Sequence, residues 1–312
     1  MKKYIFHRLI YTFFAILLLS FVVFTILRIG PVDPAKAYLI SSKIPLTDET
    51  IALTRIELGL NKPLLTQYFL WLEKAIHFDF GISYITKRDV FTDLCYYFPT
   101  TLKLAISSML FLILVSLPLG ILAAHKKDSA YDKIIKIFSF LGVSIPNFWL
   151  GFMLLYVFSL KLHLIPAFGN EGIKSYILPI ITLSFMSLAI NIRLTRTAFL
   201  EYMQQRSLQY LTILGMSKTK IYGKYTLKNA MLPIITSFGM HFGELLGGAF
   251  VVETLFGWPG VGRFMVSALY NHDYPIIQCF MVMITVIFLM INLITDILYA
   301  YLNPKIVYEE KA

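Results

Sequence analysis

Charge is what this chain has least of. Of its 312 residues, 15% are Asp, Glu, Lys or Arg, where soluble domains carry about 25%. With 57% hydrophobic residues and a mean hydropathy of +0.70, there is more apolar surface than a water-soluble core absorbs, and the bilayer is its natural solvent. Cysteine is nearly absent. Cys95 and Cys279 stand alone, too few for a disulfide framework or a metal knuckle. There is no G-x-x-x-x-G-K-[ST] loop to cradle phosphates, no H-E-x-x-H, no C-x-x-C and no G-x-S-x-G. Without those motifs nothing points to an enzyme, and no cofactor is expected. The net charge of +10 does not call for nucleic acid, because a basic excess in a membrane protein reflects the retention of Lys and Arg on the cytoplasmic side.

What is present is apolar runs. A spanning helix needs about 20 mostly apolar residues, and six stretches qualify: Leu9 to Leu27, Thr100 to Ala124, Ile137 to Leu160, Ile177 to Ile192, Ala230 to Val252 and Ile276 to Tyr301. The fourth is short and needs its flanks. The first is too long for a signal-peptide core and has no small-x-small cleavage site before Arg28, so it reads as a retained helix.

Charge counting orients the spans. The segment from Arg193 to Lys228 holds seven basic residues against the single acid Glu201, and Lys126, Lys127, Lys133 and Lys136 crowd another connection. Over 28–99, by contrast, eight basic residues are matched by eight acids. The lopsided set belongs inside, which puts both termini in the cytoplasm. The chain then divides into an N-terminal spanning helix (1–28), an extracytoplasmic helical subdomain (29–99) and a core of five spans with a cytoplasmic loop at 193–229 (100–312). In the outer subdomain, "LTDETIALTRIELGL" opens on an N-cap at Thr47 or Asp48, and a second helix begins at Pro63. No stretch alternates as a strand does, so the fold class is all-α.

Polar groups inside spans are costly and usually functional. In the fifth span, Ser237, His241, Glu244 and Gly248 share one helical face, and Gly239, Gly243 and Gly247 repeat every four residues on the next. The first face is read as lining a translocation path, with a satisfied His–Glu pair as the alternative, and the second as a surface for close helix packing. In the sixth span, Asn292 and Asp296 are read as helix-end hydrogen-bonding groups. The spans' methionines (Met186, Met240, Met281, Met283, Met290) are read as filler rather than metal ligands.

Before the fifth span, Lys218, Lys220, Lys224 and Lys228 fall within eleven positions. Gly215 is placed to cap "RSLQYLTIL" in the left-handed conformation, and Ser217 to N-cap the next helix. Lys220, Lys224 and Lys228 fall on one helical face. Ile213, Leu214, Met216 and Ile221 would form an exposed apolar strip around the turn, a surface for a protein partner rather than for headgroups alone.

These residues resemble the permease subunits of ATP-binding-cassette importers of the peptide/nickel group. Gly215 matches the glycine of that family's cytoplasmic loop and Leu232-Pro233 its Leu-Pro pair. The loop's Glu-Ala-Ala triplet is replaced by Gln209, Tyr210 and Leu211. "ELGLNKPLLTQYFLWL", "FDFGISY", "VVETLFGWPGVGR", "DYPIIQ" and "NPKI" match in order along nearly the whole chain. Within the group, "GISYITKRDV", "FLGVSIPNFWL", "FMSLAINIRLTR" and "GMHFGELLGG" are similar to nickel-importing permeases. The resemblance implies a second permease chain, two cytoplasmic ATPases and an extracytoplasmic binding protein. The cargo it implies is nickel, free or chelated, with a di- or oligopeptide or a metallophore complex as the alternative. It also implies that Leu214, Gly215, Met216, Ser217, Lys218, Thr219 and Lys220 form the element that couples to the ATPase. A secondary transporter, the rival reading from another class, would show inverted repeats, and none is evident.

Overall fold

Proline and charge decide where the apolar runs break. The computed structural model describes residues 2–170, 172–217 and 220–302. Within them every regular element is helical: α1 (Lys2–Ile29), α2 (Pro34–Ser41), α3 (Asp48–Glu57), α4 (Leu64–Ile76), α5 (Val90–His125), α6 (Ala130–Ser144), α7 (Asn147–Leu154), α8 (Ile173–Met203), α9 (Arg206–Ile213), α10 (Leu227–Leu255), α11 (Val261–Tyr270) and α12 (Tyr274–Leu302). π-helical turns follow α7 (Leu155–Lys161) and precede α10 (Ile221–Thr226).

Five helices are long and apolar enough to cross a membrane, and α6 with α7 makes a sixth if that bent pair is one span. The chain is thus an all-α polytopic membrane protein. The third span is not the straight rod expected over Ile137 to Leu160. The chain turns by 104° between α6 and α7, because Pro146 pushes Ile145 out of the helical region to φ −90°, ψ 121°, as a residue before proline requires. The fourth span gains its missing length from both flanks and runs 31 residues.

The core is built where α8 and α10 pack against α5. Apolar side chains from all three meet there, among them Leu104, Leu183, Leu245 and Val252. Glycine permits the tightest approaches: a Cβ on Gly142 would lie 2.5 Å from that of Ala189. The glycine repeat of α10 works only in part. Added Cβ atoms on Gly239 and Gly243 would collide with Thr295 and, at 2.5 Å, with the Phe288 ring of α12, whereas Gly247 meets nothing within 4 Å. Gly243→Leu should therefore overpack that contact, at a cost of about 1–3 kcal/mol, and cut the yield of detergent-solubilised protein several-fold. Gly247→Leu should leave the yield unchanged. Equal yields for the two variants would show that the α10–α12 contact does not depend on close approach.

Candidate functional site

The turn at Gly215 has the geometry that its sequence suggests. Gly215 sits at φ +77°, and the Met216 N–H donates to the Leu211 carbonyl at 3.1 Å. That is the six-to-one bond of a Schellman cap, which needs the left-handed residue that glycine supplies. Ser217 then starts the next turn, its carbonyl accepting from the Lys220 and Ile221 N–H groups at 3.0 and 3.1 Å. Lys218 and Thr219 lie outside the described residues. α9 packs back on the π-helical stretch, which fixes the hairpin and leaves its tip bare: Ile213 and Leu214 are each 79% exposed and Tyr210 is 66% exposed.

Two expectations change here. Ile221 is 2% exposed and belongs to the packed base, not to the apolar strip. Its burial accompanies the π-helical winding of Ile221–Thr226, whose extra residue per turn rotates the downstream positions relative to an α-helix. The same winding breaks the four-residue spacing assumed for Lys220, Lys224 and Lys228, although all three remain exposed.

The expected path face of α10 splits into two. Ser237 turns inward, its Oγ donating to Asn191 Oδ1 of α8 at 3.0 Å, while Asn191 donates to the Ser187 carbonyl at 2.9 Å. His241 is buried and its Nδ1 lies 2.6 Å from Glu244 Oε2. Glu244 itself points out, with its side chain 57% exposed, on a stripe with Met240, Gly247 and Thr254. It lies eleven residues, about 16 Å along the axis, from the C-terminal end of α10. A carboxylate facing acyl chains at that depth is expensive, so this stripe suits water or another polar chain. Among the described residues no cluster of three or more His, Cys, Asp or Glu is arranged to hold a metal.

Several polar groups escaped the sequence reading. Asp132 of α6 is fully buried and binds Arg196 of α8 through both oxygens, Oδ1 to Nε at 2.5 Å and Oδ2 to Nη2 at 2.8 Å, with Lys136 at 3.1 Å. The signal was available in principle, since an arginine running on from a span demands a carboxylate. Asp296 is not a helix-end hydrogen-bonding group but pairs with Arg8 of α1 at 3.1 Å, which joins the first and last spans.

At the opposite end, Glu253 is fully buried. It accepts from Thr101 Oγ1 and from the Arg263 N–H, while Thr101 Oγ1 accepts from the Val261 N–H. A Cβ on Gly260 would overlap the Glu253 carboxylate, so the glycines of "GWPGVGR" let backbone close over that side chain. Ser83 donates to Asp273 Oδ2 at 2.6 Å and Tyr274 to the Val32 carbonyl at 2.6 Å. "FDFGISY" and "DYPIIQ", far apart in sequence, thus clamp the segment between α1 and α5 to the start of α12. Burial pushes the phenol of Tyr84, in the same contact, up to about 12, so it stays neutral there.

The model of the binding-protein-dependent transport system inner membrane component matches residues 116–308, and the N-terminal model of the same membrane component matches residues 1–105. The glutathione transport system permease protein GsiC of Escherichia coli (strain K12) is 36% identical over 310 residues, covering 99% of this chain and all of the relative. The proteins of that name from Shigella flexneri serotype 5b (strain 8401) and Salmonella choleraesuis (strain SC-B67) are equally similar over the same shares. The chain belongs to this family of inner membrane permeases of ABC importers. It is a multi-pass transport subunit and not an enzyme, and membership implies in general a second permease, ATPases and a substrate-binding protein.

Proposed function

We propose that this chain forms, with a second permease, the translocation path of an ATP-driven importer for short peptides or peptide-like solutes. The observation that carries the coupling role is the glycine-set turn at Gly215, fixed at its base and bare at an apolar tip. Such a surface invites a groove on a cytoplasmic ATPase, and the exposed Lys220 and Lys224 can meet acids beside it. Closure of the ATPases would move the hairpin, and the attached α8 and α10 would carry that movement to the core.

The path is assigned to the stripe of α10 that bears Glu244. His241 hydrogen-bonds the carboxylate through Nδ1 and holds it in place, while Ser237 and Asn191 brace α10 against α8. In a medium of lower effective dielectric than water, a fixed negative charge lowers the cost of passing a cationic group such as a peptide α-ammonium. Contacts of that kind must stay weak and multiple, since a tight site traps its cargo. Peptide-type cargo is favoured by the name that the similar permeases carry. Nickel, suggested by segments such as "GMHFGELLGG", would find two neighbouring ligand types in His241 and Glu244 and need others from a partner or a chelator.

Uptake of labelled glutathione, a dipeptide and nickel by the reconstituted complex separates these readings. Glu244→Gln keeps the shape and removes the charge. Dipeptide uptake should fall about tenfold, equivalent to about 1.4 kcal/mol, with ATPase binding and complex yield unchanged. Wild-type uptake from an unstable complex would make Glu244 a bundle partner instead. ATP-dependent uptake of nickel but not of peptide would overturn the cargo assignment.

A further inference from the structure

The outer end of α1 carries a charge without a counterpart. Arg28 is half-buried, its guanidinium lies over the Phe24 ring at 4.9 Å, and its Nε is buried with no hydrogen-bond acceptor. It borders a cavity of about 670 Å³ together with Asp33, Arg55, Leu60, Leu64 and Gln67. Asp33 and Arg55 neutralise each other as an ion pair, which leaves Arg28 as the net charge. Gln67 spends its amide hydrogens on the Leu60 and Lys62 carbonyls, and its Oε1 is buried and unpaired. The cavity is therefore bordered by a cation that no carboxylate neutralises.

Depth decides what fills it. Nineteen uncharged residues separate Arg8 from Arg28, about 30 Å of helix, which matches the hydrocarbon thickness. Arg28 then stands at the outer headgroup layer. α4 crosses α1 below that level: Tyr68 meets Phe21 and Phe24 with ring centroids at 5.0 and 5.6 Å, Trp71 meets Phe24 at 5.8 Å, and the Tyr68 hydroxyl lies 2.8 Å from Ser20 Oγ. Phe24 is four residues, about 6 Å, inside Arg28, the depth at which amphipathic helices lie in a leaflet. The side of α4 away from α1 presents Leu65, Phe69 and Ile76, with Phe69 62% exposed, and its two charges, Glu73 and Lys74, lie towards its C-terminal end.

We propose that α4 lies in the plane of the outer leaflet and that the Arg28 cavity holds the headgroup of a phospholipid. The phosphate oxygens accept from the Arg28 guanidinium. The outer helices are thereby anchored to the membrane as well as to α12.

Native mass spectrometry of the assembled transporter, purified from membranes, tests the site. The wild-type complex should carry one more tightly held phospholipid per copy of this chain than the Arg28→Gln complex. Arg28→Lys, which keeps a point charge for phosphate, should retain it. Equal lipid in wild type and Arg28→Gln would overturn the site, and so would displacement of the lipid by glutathione or a dipeptide, which would give the cavity to a cargo carboxylate. A second readout does not depend on either arginine variant. In nanodiscs, a fluorophore on Phe69→Cys, with Cys95 replaced by Ser, should be quenched strongly by lipids doxyl-labelled near the headgroup and weakly by iodide in the water. The reverse order would place α4 in water and refute the proposal.

Discussion

Gly215→Val should sharply reduce cargo uptake while the complex still reaches the membrane. A Cβ at Gly215 would meet nothing within 4 Å, so the cost of substitution is conformational, set by φ +77°. Left-handed geometry costs an ordinary L-residue about 1–2 kcal/mol, and a β-branched side chain is worse placed still. The Schellman bond from Met216 to Leu211 depends on that geometry, so the tip carrying Ile213 and Leu214 would be reshaped. The apolar spans are untouched, and insertion should be normal. The series discriminates: Gly215→Asn, which tolerates the left-handed region, should keep most uptake, Ala should be intermediate, and Val should lose at least tenfold (about 1.4 kcal/mol). Full uptake by the Val variant would remove Gly215 from the coupling role.

Asp132→Ala should produce the largest loss of stability of these variants. The carboxylate is wholly buried between α6 and α8 and holds Arg196, itself only 14% exposed. Deleting it strands a guanidinium without its partner, and breaking a buried pair in this way costs about 3–5 kcal/mol. The lower end applies here, because Lys136 beside the pair is 48% exposed and water is near. Removing both partners, as in Asp132→Leu with Arg196→Met, should recover most of the loss, since an apolar pair of similar volume carries no stranded charge. Thermal denaturation of the purified complex measures both variants. A single variant as stable as wild type, or a double variant no better than the single, would contradict this account of the pair. Arg196 lies seven residues before the end of α8, so the bridge also steadies the helix from which the α9 hairpin hangs.

Local features were legible in the sequence and pairings were not. Apolar run length marked the spans, and Thr47, one of the two N-cap positions the sequence offered, caps α3, closing a capping box with Thr50. Gly215 announced its own conformation. The bend at Ile145–Pro146 carried a local signal too, but an unbroken apolar run outweighed the proline. The burial of Ile221 could not be read from α-periodicity, because it depends on which helices pack on the π-helical stretch. Asp132 with Arg196, Asp296 with Arg8, and Ser83 with Asp273 depend on which helices become neighbours. Glu253 sat inside a quoted motif, yet its role as the group beneath the "GWPGVGR" loop needs the loop's path in space. The polar face of α10 was half right for a related reason: helical spacing places Ser237, His241 and Glu244 together, but neighbouring helices decide which of them is covered.

The measurement that bears most directly on the coupling role is photo-crosslinking from the hairpin tip. A benzophenone amino acid at Leu214, in the assembled transporter in native membranes, should attach to an ATPase subunit, with a yield that changes when ATP is bound. Attachment to lipid alone, or to the partner permease with no dependence on nucleotide, would contradict the account of Gly215 and its turn as the point where the ATPase drives the membrane helices.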